Sequence, residues 1–157
     1  IVPPRDVYSS VEWPVIILLA SVIPLGAALE SNGTTEIIVQ ILTKYASSME
    51  PWLIIAIIMI ITMTLSDILN NTATTLVIAP ISIQLAQTLN LNTDTFLMAV
   101  AVSASCAFLT PIGHKNNTII LGPGGYRFGD YWRMGLVLEV LIIITSIPLL
   151  LIFWPIN

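Results

Sequence analysis

Of 157 residues, 56% are hydrophobic and 9% are charged, with a formal net charge of -4, whereas a soluble domain carries about 25% charged residues. Nine acids and five bases cannot solvate a globule this apolar, which excludes a soluble enzyme, and a nucleic-acid binder would need a basic face. A single cysteine, Cys106, excludes a disulfide framework and a cysteine-based zinc site.

The composition therefore predicts an all-α integral membrane protein. The opening run Ile1-Val2-Pro3-Pro4-Arg5-Asp6 has neither the basic start nor the small-residue cleavage site of a signal peptide, and the chain is expected to be a piece of a longer one. A first transmembrane helix is expected over 13–29, interrupted by Pro14 and Pro24 and ended by Glu30-Ser31-Asn32-Gly33. An amphipathic helix follows over 34–47, with Ile37, Ile38, Ile41, Leu42 and Tyr45 on one face, suited to the interface or to packing on a bundle.

Next come two apolar runs, Trp52 to Leu65 and Leu76 to Leu89, separated by Ser66-Asp67-Ile68-Leu69-Asn70-Asn71-Thr72. Each run is about 21 Å long as a helix, short of the hydrocarbon thickness of about 30 Å. A re-entrant hairpin over 52–89 with its tip at 66–72 accommodates both, because irregular backbone survives at membrane depth only when buried in protein or lining a wet cavity. A second crossing, over 95–125, is broken at 110–118, where Pro111 removes a donor and Gly113 permits non-helical angles. The last segment, 133–154, is a full transmembrane helix with Trp132 and Trp154 as interfacial anchors. Paired short, polar-interrupted segments are the sequence mark of a transporter's binding site.

Arg5, Arg127 and Arg133 lie on one set of loops, and the loops at 48–51 and 90–94 lack Lys and Arg. The positive-inside rule makes the first set cytoplasmic and the C-terminus external. Helix N-termini following the breaks attract anions, and carbonyl-bearing helix ends suit a cation. Asn71 or Thr72 is the expected cap of a half-helix from Ala73, and Asn117 or Thr118 that of a piece from Ile119. Asp67 is a functional candidate at depth, as a proton carrier or as the charge partner of Lys115. His114 is either a site residue or a hydrogen-bonded packing residue. Cys106, amid Ser103, Ala104, Ser105 and Ala107, suits close helix approach. The sequence gives Glu139 no role. An intramembrane enzyme is disfavoured, since there is no His-Glu-x-x-His helix and no pair of acids within the apolar segments.

The run Asn70-Asn71-Thr72-Ala73-Thr74-Thr75 resembles the Ser-Asn-Thr signature of the divalent anion:sodium symporter family, in the ion transporter superfamily. The runs Ser105-Cys106-Ala107-Phe108, Pro111-Ile112-Gly113 and Gly122-Pro123-Gly124-Gly125-Tyr126 are similar to the second-half motif of its bacterial permeases. The resemblance covers 52–157 well and 13–33 more loosely. It implies two inverted repeats, of which this chain is the C-terminal one, in a plasma-membrane protein (the inner membrane of a bacterium or archaeon). It further implies substrate contacts from Asn70, Asn71 and Thr72 at the tip and from Gly113, His114 and Lys115 in the break. Sodium would be held by Ser66, Leu69, Asn71 and the Gly113 carbonyl, with no organic cofactor. The expected partners are a small anion of the sulfate or dicarboxylate class, the N-terminal repeat, the bilayer and a second copy in a homodimer, with no nucleic acid. Asn70 stands where the signature has Ser, and His114-Lys115 where dicarboxylate carriers have Thr-Pro. The alternatives are an arsenite or sodium/proton exchanger of the same superfamily, or a non-transporting assembly subunit.

Overall fold

The computed structural model describes residues 16–17, 20–21, 24, 28, 31–46 and 48–156. The helix expected over 13–29 and the charged start at Arg5 lie outside the described residues, apart from scattered positions. Among the described residues there is no strand. The elements run α1 (Thr34–Ala46), α2 (Pro51–Ile68), α3 (Asn71–Thr88), α4 (Thr93–Ala104), α5 (Lys115–Leu121), a 3-10 turn (Phe128–Asp130) and α6 (Tyr131–Phe153).

Pro51 opens α2, where its fixed φ fits the first helical position and its missing N–H costs nothing. The buried side chains of α2 fall in four adjacent pairs: Ile54 and Ile55, Ile58 and Met59, Thr62 and Met63, Ser66 and Asp67. That four-residue spacing is one helical face, apolar for three turns and polar in the last. Thr62 survives on it because its hydroxyl donates back to the Ile58 carbonyl at 2.7 Å. α2 and α3 have 18 residues each, about 27 Å, so both arms are longer than the apolar runs alone suggest. Only Leu69 and Asn70 join them, both extended, with φ -94 and ψ 177 at Leu69 and φ -83 and ψ 158 at Asn70. The expected polar tip of 66–72 is thus mostly helical, its outer residues forming the last turn of α2 and the first of α3.

α4 packs on both arms more extensively than the arms pack on each other. Small residues permit this: Ala86, Ala99 and Ser103 are fully buried, and Ser82 and Ala104 nearly so. In lipid, such close backbone approach does the work that apolar burial does in water. Phe96, Val100, Ile55, Met59, Met63 and Leu85 fill the rest of the core. α1 packs on α3, with Val39 and Ala46 joining the same core as Leu85 and Ala86. Of its expected apolar face, Leu42 packs against the core and Ile38 is half-buried, while Ile37, Ile41 and Tyr45 are exposed.

The segment expected as a second crossing leaves the helix earlier than its composition predicts. α4 ends at Ala104 rather than Leu109, residues 105–114 are irregular, and 115–118 form the first turn of α5. The long α6 then returns beside α4. Its end is pinned where Thr95 donates to the Trp154 carbonyl at 2.9 Å and Asn92 N–H to the Ile156 carbonyl at 2.9 Å. Pro51–Ile68 and Phe128–Phe153 are long and apolar enough to cross a membrane. Only Gly135, Glu139, Ile147 and Leu150 of α6 are buried, leaving most of its apolar surface for lipid or for protein beyond this chain.

Candidate functional site

The end of α2, the start of α3, the end of α4 and the irregular segment converge on one place. The Ser66 hydroxyl donates to the Ala104 carbonyl at 2.6 Å and lies 3.0 Å from Asn71 Oδ1. A Cβ at Gly113 would fall 2.8 Å from Ala107 Cβ, 3.0 Å from Asp67 Cα and 3.2 Å from the Ser66 carbonyl oxygen. Glycine is required there by backbone-on-backbone contact, not by a positive φ. Ser66 thus meets both Asn71, across the turn between α2 and α3, and Gly113, in the irregular segment.

The tip's own backbone explains part of its polarity. Asn70, not Asn71 or Thr72, caps α3, accepting the Ala73 N–H at 2.7 Å. The N–H groups of Asn71 and Thr72, at the first two positions of α3, meet no carbonyl within the helix and carry the positive end of its dipole. Asn71 and Thr72 are half-buried and Asn70 is exposed.

His114, rather than Asn117 or Thr118, caps α5, its Nδ1 accepting the Asn116 N–H at 3.2 Å. His114 is half-buried and Lys115 exposed, and among the described residues no hydrogen bond ties either to the tip. Asn117 and Thr118 instead fasten the irregular segment. Asn117 Nδ2 donates to the carbonyls of Ala107 at 2.9 Å and Thr110 at 3.0 Å, and the Thr118 hydroxyl donates to the Pro111 carbonyl at 2.6 Å.

Asp67 makes no ion pair with Lys115, one of the two roles open to it from the sequence. It is 3% exposed; its Oδ1 accepts the Leu109 N–H at 2.9 Å and its carbonyl accepts the Thr110 hydroxyl at 2.7 Å. The Thr110 Oγ1 in turn accepts the Gly113 N–H at 3.0 Å. The Asp67 side chain interacts with that of Glu139, 8% exposed, whose Oε1 takes a long hydrogen bond of 3.5 Å from the Phe108 N–H. Two acids in the apolar segments are thus a pair after all, brought together from distant parts of the sequence. Like charges this close repel, so the pair depends on the backbone N–H groups it accepts and on any shared cation or proton. Asp67 Oδ2 has no hydrogen-bond partner.

Sequence reasoning missed Thr110, Asn117, Gly135 and Glu139 as parts of this arrangement. A Cβ at Gly135 would overlap the Phe108 carbonyl group, 2.6 Å from its carbon, so α6 lies directly against the irregular backbone. The available signal was the pair itself: Gly135 and Glu139 are four residues apart, one helical face, and Glu139 is an acid inside an otherwise apolar helix.

A family model described as "CitMHS: Citrate transporter" matches residues 1–156. The chain is 37% identical over 154 residues to an uncharacterized transporter of Synechocystis sp., covering 98% of this chain and 25% of that protein. It is 29% identical over 134 residues to the sodium-dependent low-affinity dicarboxylate transporter 1 of Caenorhabditis elegans, covering 85% of this chain and 23% of the relative. It is 26% identical over 142 residues to the sodium-dependent dicarboxylate transporter SdcS of Staphylococcus saprophyticus, covering 90% and 27%. The chain spans about a quarter of the length of these curated relatives. With a family match along nearly its whole length and an all-helical fold with two membrane-capable helices, the chain belongs to the CitMHS citrate transporter family.

Proposed function

We propose that this chain is the C-terminal repeat of a secondary transporter that couples inward sodium movement to uptake of a small anion of the sulfate or dicarboxylate class. The observation that carries the reading is the seat of Gly113 on Ser66 and Asp67, which joins the two breaks. The first N–H groups of α3 then supply anion ligands. Ser66, the Leu69 and Gly113 carbonyls and the Asn71 side chain supply oxygens for sodium. Asn70, Asn71, Thr72, Gly113, His114 and Lys115 form this repeat's share of the anion site. A bound cation beside a bound anion lowers the cost of bringing each charge into a low-dielectric site, which is the energetic basis of coupling. Two relatives named sodium-dependent dicarboxylate transporters support both the ion and the substrate class.

In this reading α2 and α3 are a re-entrant hairpin and α4 and α5 are two halves of one broken crossing. An N-terminal repeat completes the site, and alternating access moves it across the plasma membrane of a homodimer whose C-terminal end is external. The test is uptake of labelled sulfate and of a labelled dicarboxylate by the full-length protein in proteoliposomes. One of them enters under an inward sodium gradient, and choline in place of sodium abolishes entry. Asn71→Ala, present at wild-type level, abolishes it too. Uptake that ignores sodium and follows an imposed pH gradient overturns the reading in favour of an exchanger.

A further inference from the structure

We infer that Glu139 is a positioning residue for the anion site, acting through the irregular backbone of 105–114. The inference rests on the proposed anion transport and adds a residue that the sequence motifs leave unused. Phe108 and Leu109 are consecutive, and their N–H groups are received by two different elements. Phe108 donates to Glu139 on α6 and Leu109 to Asp67 on α2. Gly135, one turn before Glu139, lets α6 touch the Phe108 carbonyl group. Asp67 also receives the Thr110 hydroxyl on its own carbonyl, and Thr110 receives the Gly113 N–H. The irregular segment therefore lies between two carboxyl groups that interact with each other, and Gly113 hangs from the same network. An acid in a mostly outward-facing helix is expensive in lipid. Glu139 is one of four buried residues on α6, and its carboxyl faces the segment that carries Gly113.

The chemistry makes a sharp distinction between two substitutions. Glu139→Gln keeps an acceptor for the Phe108 N–H and supplies N–H donors to the Asp67 side chain, so it serves both neighbours. Glu139→Leu keeps the volume but serves neither, leaving the Phe108 N–H and the Asp67 carboxyl to each other's neighbours. Both variants are made in the full-length protein, and two readouts are taken on each. The first is anion uptake at saturating sodium, resolved into the half-saturating anion concentration and the maximal rate. The second is hydrogen–deuterium exchange of peptides covering 105–114, in protein reconstituted in lipid nanodiscs.

Glu139→Leu is expected to raise the half-saturating anion concentration severalfold, the loss of one hydrogen bond to a buried N–H, with faster exchange in 105–114. Glu139→Gln is expected to stay near wild type on both readouts. Unchanged half-saturation and exchange in Glu139→Leu overturn the inference. So does a Glu139→Gln variant as impaired as Glu139→Leu at equal abundance, since charge rather than hydrogen bonding would then be the requirement. Where Glu139→Leu is not produced, Glu139→Met takes its place: raised half-saturation with faster exchange supports the positioning role, and wild-type values of both overturn it. A wild-type protein that takes up neither anion sinks the transport reading, while the exchange comparison still decides whether Glu139 holds the segment.

Discussion

Asn70 accepts the Ala73 N–H at 2.7 Å, so its side-chain oxygen is committed to starting α3 while its neighbours Asn71 and Thr72 offer their N–H groups. This separates two requirements that a single alanine substitution would confuse. Asn70→Ala loses the cap, at about 1 kcal/mol, and the full-length protein should unfold at lower temperature. Asn70→Asp keeps the acceptor and improves the match to the helix dipole, so its unfolding temperature should equal or exceed that of the wild type. The added negative charge lies where the anion is proposed to bind, and uptake should fall severalfold or more. Melting temperature and uptake moving together in the aspartate variant would place Asn70 away from the anion. The residue-level motifs were legible because polar side chains in an apolar chain need a reason. Which asparagine caps the helix was not, because Asn70, Asn71 and Thr72 are all competent caps and the choice depends on the two-residue turn.

The irregular segment shows where local signals stop. Pro111 and Gly113 predict a break at 110–118, and the chain indeed fails to be helical there up to His114. The backbone also leaves α4 at Ser105, although Ser105, Cys106, Ala107 and Phe108 contain no strong helix breaker. What substitutes for their helical bonds is distant in sequence: Asp67 and Glu139 for two N–H groups, Asn117 for the Ala107 and Thr110 carbonyls. A sequence read locally cannot supply acceptors that come from other helices, which is also why Glu139 had no role until α6 was docked. α2 and α3, by contrast, were legible as helices, and α2 runs past its apolar stretch because Ser66 and Asp67 continue the face of Ile54 to Met63. Two substitutions test the segment as an element. Asn117→Leu leaves two carbonyls without their donor, at about 1–3 kcal/mol each if they stay dry, and should quicken hydrogen exchange across 105–114. Gly113→Ala must push Ala107 and the α2 backbone aside, at about 1–3 kcal/mol. It should abolish the stabilisation by sodium expected of the wild-type protein in a thermal melt, even where the variant remains folded. A Gly113→Ala protein still stabilised by sodium to the wild-type extent would remove Gly113 from the cation site.

The whole molecule carries its own ruler in α6. Its 23 residues measure about 35 Å, enough to cross hydrocarbon of about 30 Å. Glu139, which meets Phe108 and Asp67, is eight residues beyond Tyr131 and fourteen before Phe153, or about 12 Å from one end and 21 Å from the other. In the proposed orientation, with α6 across the bilayer, the junction of α2 and α3 would fall inside the hydrocarbon and not at either surface, although each helix is long enough to approach the far side. Extended backbone at Leu69 and Asn70, exposed within this chain, is tolerable at that depth only against further protein or a wet cavity. Single cysteines placed in the full-length protein, with Cys106 and any others replaced, distinguish the two geometries. Ser48→Cys and Arg127→Cys lie at opposite membrane faces in the proposed orientation, and an impermeant maleimide added outside should label the first and spare the second. Leu69→Cys, at the turn, should react with a small methanethiosulfonate reagent admitted through the site and resist a bulky polyethylene-glycol maleimide from either side. Labelling of Leu69→Cys by the bulky reagent as fast as Arg127→Cys, in opened vesicles, would mean that the turn emerges from the membrane and that α2 and α3 are two full crossings.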